Sequence, residues 1–177
     1  GYAADPKNME MANFLGICYC ELGDFQKGLV IFNEIASQDN PKYAEDVVKA
    51  KENIKLYTNN RIAKLQGEND FDGIIAVADE MLAVNPQDAL AQKIRLQALF
   101  DKKDYAGVIA SAEEAAAGHT DEEERSDVYF ILGAAYNART MPQQAIDALS
   151  KVTAGANVAA AQKTVAQLKE NAAKANS

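Results

Sequence analysis

Apolar residues recur along this chain at steps of three and four, the spacing of one face of an α-helix. Tyr43, Val47, Ala50, Ile54, Tyr57, Ile62 and Leu65 come close to such a stripe, with one step of five, and predict a helix over residues 42–66. Val158, Ala161, Val165 and Leu168 predict a final helix over 158–173, after a loop at Thr153-Ala154-Gly155-Ala156. Three other segments are built alike: a polar turn, an aspartate, an aromatic residue, then an apolar helix. Leu22-Gly23-Asp24-Phe25 leads into Leu29-Val30-Ile31, Glu68-Asn69-Asp70-Phe71 into Ile74-Ile75-Ala76-Val77, and Lys102-Lys103-Asp104-Tyr105 into Val108-Ile109-Ala110. Asp70 and Asp104 are 34 residues apart and Asp24 and Asp70 are 46 apart, an excess of twelve. That excess predicts that the 42–66 helix is lengthened by about three turns, ~18 Å at 1.5 Å per residue, with Thr58-Asn59-Asn60 as its bending point.

The aspartates have a physical task. Asp24, Asp70 and Asp104 each precede a helix and can accept hydrogen bonds from its first unpaired N–H groups. A fourth unit varies the device, with Thr140 and Gln143 as a capping box and Pro142 at the first helical position. Thr120 and Glu123 suggest another box ahead of the acidic run Asp121-Glu122-Glu123-Glu124, whose charge favours a helix start. Only 4 prolines and 10 glycines punctuate the 177 residues, and hydrophobic residues make up 48%. The fold class is all-α.

The repeated units carry a motif. The first reads Leu15-Gly16, Tyr19, Gly28, Phe32 and Pro41; the last reads Tyr129, Leu132-Gly133, Tyr136, Ala145 and Leu149. In the middle, Ile62 and Leu65, then Leu96 and Leu99, stand in place of the Gly and Tyr, and Asn85-Pro86 closes the second unit. Over residues 9–152 the chain resembles the tetratricopeptide repeat family. The resemblance implies an α-α superhelix, a right-handed solenoid of helical hairpins at 9–41, 42–86 (with the extended first helix), 87–119 and 120–153. A capping helix at 154–177 would cover the last hairpin. Residues 1–8, with Pro6 at the closing-proline distance, resemble the tail of a preceding repeat, so the chain is expected to start inside a longer array.

Charge and chemistry narrow the function. With a formal net charge of −8 and no concentration of Lys and Arg, the chain is a poor match for nucleic acid. Acidic lipids would repel it, and no apolar run approaches the ~18 residues of a membrane span. Cys18 and Cys20, two apart on a helix, point to different sides and read as small buried hydrophobes. His119 is the single histidine and reads as a helix-end residue. No phosphate loop, nucleophile elbow or metal-ligand cluster occurs, so no cofactor, metal site or enzymatic activity is expected.

What remains is recognition of a protein or peptide. In the family, ligands lie in a concave groove lined by the first helix of each hairpin. The resemblance places Asn13 and Ile17 there, with Glu10 and Glu21 alongside. Asn59 comes from the second hairpin, Lys93, Gln97 and Phe100 from the third, and Phe130 and Asn137 from the fourth. The basic clamp with which some members hold chaperone tails is not matched: Leu90 and Ile94 stand where Lys and Arg are needed. Two functions remain open: a non-enzymatic scaffold binding a peptide or helix in the groove, or a module that packs against other parts of a longer chain or self-associates. A polar-rimmed groove at Asn13, Asn59 and Lys93 would favour the first. An exposed apolar edge at Met9, Phe14 and Leu15 would favour the second.

Overall fold

The structure, a computed structural model, describes residues 6–176; residues 1–5 of the expected repeat tail lie outside them. The described residues fold into helices and turns only. They form α1 (Pro6–Glu21), α2 (Phe25–Ala36), a 3-10 turn (Pro41–Tyr43), α3 (Ala44–Gly67), α4 (Phe71–Val84), α5 (Ala89–Asp101), α6 (Tyr105–Gly118), α7 (Glu122–Ala138), α8 (Pro142–Leu149) and α9 (Val158–Ala175). Pro6 to Asn8 form the first turn of α1. The chain divides into two compact units between Pro86 and Gln87. In the first, α1 packs on α2 and α3, and α2 on α3 and α4; in the second, α6 and α7 pack on each other, α5 on both, and α8 on α7 and α9.

One turn recurs four times and defines the hairpins. Gly23, Asn69, Lys103 and Thr140 have φ of 86°, 55°, 67° and 56°. The next N–H in each case reaches back five residues. Asp24 donates to Tyr19 O, Asp70 to Leu65 O, Asp104 to Leu99 O and Met141 to Tyr136 O, at 2.8 to 3.0 Å. This is a Schellman closure of the first helix, ended by a left-handed residue. In three of the turns the residue after it then caps the second helix, Asp24 accepting from Lys27 N, Asp70 from Gly73 N and Asp104 from Gly107 N.

The fourth turn corrects the sequence expectation. Thr140 makes no capping box with Gln143. It occupies the left-handed position and its hydroxyl donates to Arg139 O, while Gln143 donates to Asp147. A residue that ends α7 in this way cannot also cap α8, whose N-cap position is Met141 without a side-chain bond. The second expected box also fails: Asp121, not Thr120, caps α7 by accepting from Glu124 N. Asp88 caps α5, accepting from Ala91 N, a cap missed in the sequence. Because a β-branched residue is strained at positive φ, Thr140→Gly should raise stability by about 1 kcal/mol. A denaturation midpoint unchanged or lowered would refute the strain.

Helix α3 spans 24 residues, against 16, 13 and 17 for α1, α5 and α7. It is continuous through Thr58-Asn59-Asn60, the expected bending point, where Thr58 is fully buried and its hydroxyl donates to Met81 Sδ at 3.8 Å. The N-terminal part of its stripe joins a core of Met9, Ala12, Ile31, Phe32, Ile35, Tyr43 and Ala50, with Val47, Ile54 and Tyr57 against it. Phe32 stacks on Tyr57 at 6.4 Å. At the other end of the chain, Val158, Ala161 and Val165 of α9 pack with Leu149 and Val152.

Candidate interaction surfaces

The first helices of the hairpins supply the eight residues expected to line a groove. Asn13 is buried, and its Nδ2 donates to Asp46 O on α3 at 3.1 Å; its Oδ1 is buried with no hydrogen-bond partner. Ile17 packs against the core of the first unit. Both side chains are thus committed to internal packing. Asn59 stands exposed on α3.

In the second unit two of the polar candidates, Lys93 and Gln97, have partners within the chain. Lys93 pairs with Asp127 of α7, whose other carboxylate oxygen accepts from Asn157 Nδ2 at 2.9 Å. Gln97 donates to Asp101 along α5. Phe100 meets Tyr105 edge-on at 5.3 Å across the hairpin turn. Phe130 packs against the Leu149, Val152 and Ala161 cluster, and Asn137 is exposed near the end of α7. The structure brings Lys93 to α7 but supplies no exposed apolar anchor among the eight.

The loop from α8 to α9 is tied to the same helix. Fully buried Ser126 accepts from the N–H groups of Thr153 and Ala154, both at 3.1 Å, and Thr153 Oγ1 donates to Glu122 at 2.7 Å. Ser126→Ala would leave two N–H groups without their acceptor. Water can reach Thr153, so the cost falls at about 1–2 kcal/mol. Faster amide exchange at Thr153 and Ala154 is the accompanying readout, and unchanged exchange would count against it.

Cys18 and Cys20 are free and half-buried, less enclosed than expected. Burial pushes the Cys20 thiol up to about 11; the charges of Glu21 and Asp24 add to this and Arg61 opposes it. His119 ends α6 with its N–H on Ala116 O, its ring buried. Its Nδ1 is 3.7 Å from Glu124, and its Nε2 is buried without a hydrogen-bond partner. Among the described residues no three His, Cys, Asp or Glu side chains converge as metal ligands, and no helix is long and apolar enough to cross a membrane.

The surface that stands out is apolar and belongs to the first unit. Met11 and Phe14 of α1 are 69% and 68% exposed, joined by Leu15, Leu22 and, on α2, Val30. Met11, Phe14, Leu15 and half-buried Cys18 line one shallow depression with Glu10. Leu15 and Val30 share the next with Tyr19 and Lys27. Of the apolar edge expected at Met9, Phe14 and Leu15, Met9 is instead buried in the core. Met11 and Leu22 were missed. The signal was present: from Met9 to Cys20, α1 is apolar on every side apart from Glu10 and Asn13, and a helix apolar all round asks for neighbours all round. No protein-family model and no curated protein matches the chain.

Proposed function

We propose that this chain is a non-enzymatic protein–protein interaction module of tetratricopeptide type, and that it makes contact through the apolar face of α1 and the adjoining part of α2. The observation that carries this reading is the exposure of Met11, Phe14 and Leu15 along one shallow depression of the first unit. Isolated exposed apolar residues are ordinary, but a contiguous group marks an interaction site.

The finer architecture belongs to the same proposal: a right-handed α-α superhelix of four hairpins, with α9 as the capping helix. Its support is the four-fold recurrence of one Schellman turn and the packing of helices on their next-but-one neighbours, α1 on α3, α2 on α4 and α5 on α7. The concave-groove scaffold is the second reading. It has Asn59 and Asn137 exposed in its favour, while its apolar candidates Ile17 and Phe130 are engaged in cores.

Phe14→Glu and Met11→Glu should leave unfolding within about 0.5 kcal/mol of the parent, because neither side chain is buried. Both should lose the proteins that the parent captures from cells of its source. Capture unchanged by both substitutions, but lost on reversing the charge of Lys93 and truncating Phe130, would replace this face by the groove.

A further inference from the structure

We draw no further inference here: the strongest candidate, the surface patch on the outward face of α3 where exposed Val48 and Leu56 stand beside Lys51 and Lys55, carries nothing, because exposed Glu52 mixes its charge and nothing in the structure shows what covers it.

Discussion

Phe32→Ala should destabilise the first unit by about 3–5 kcal/mol, the range for removing a buried aromatic ring. The ring is fully buried, stacks on Tyr57, and fills the space left by Gly16, where a Cβ would sit 2.5 Å from its edge. Truncation therefore opens a void that α1, α2 and α3 share, and the glycine on the far wall has no side chain with which to fill it. Because the ring holds Tyr57 in place, the 2.7 Å hydrogen bond from Tyr57 to Glu21 should loosen too. That bond, followed by burial and the Glu21 charge, holds the Tyr57 hydroxyl up at about 12, so its titration should move back towards 10. The primary readout is hydrogen exchange of amides in α1 to α3, which separates this unit from the other. A loss under 1 kcal/mol there would show that the ring is not the keystone of this core.

The second large effect is Gly133→Ala, expected to cost about 2–3 kcal/mol although alanine is the better helix former. A Cβ at Gly133 would lie 2.5 Å from Leu149 Cγ, 2.6 Å from its Cδ2 and 3.3 Å from its backbone N. The side chain cannot rotate freely away, since Leu149 is 3% exposed within the cluster under α9. Leu149→Ala alone should cost about 2–5 kcal/mol as a cavity. Combined, the two changes relieve each other: the added methyl enters the vacated space, and the double variant should be more stable than the sum predicts by at least ~1 kcal/mol. Strict additivity in equilibrium denaturation would show that the close approach of α7 and α8 does not depend on this pair.

These two sites are the same contact in different hairpins, and they explain what was legible in the sequence. In the outer hairpins glycine on the first helix faces a large residue on the second, Gly16 with Phe32 and Gly133 with Leu149. That arrangement is the motif by which the chain resembles the tetratricopeptide repeat family, so both hairpins could be read directly. At the corresponding register of the middle hairpins stand Ile62 with Ala78 and Leu96 with Ala112, of which Ala78, Leu96 and Ala112 are buried. The large and small partners have changed helices. Total volume across the contact is roughly kept while the motif is erased, which is why the middle units look degenerate when read one position at a time.

The turns were legible for a similar reason and misread for another. Asp24, Asp70 and Asp104 cap as their chemistry requires. Thr140 looks like a cap but sits one residue too early, at a position set by backbone φ, a property that side-chain preferences report poorly. The groove was the least legible part. A helical face can be assigned from spacing, but whether Asn13 meets solvent or Asp46 depends on how closely α3 approaches, and that is decided by packing far away in sequence.

The exchange of large for small residues also bears on how such a chain avoids mispairing. Adjacent look-alike hairpins invite one helix to dock on the wrong partner during folding, a characteristic fault of repetitive chains. Each compact unit here contains one hairpin of either polarity. If α1 took α4 as its partner, Gly16 would meet Ala78 and leave a void; if α3 took α2, Ile62 would collide with Phe32. The alternation thus acts as an address written in volume, distinguishing neighbours that share turn and hydrophobic pattern.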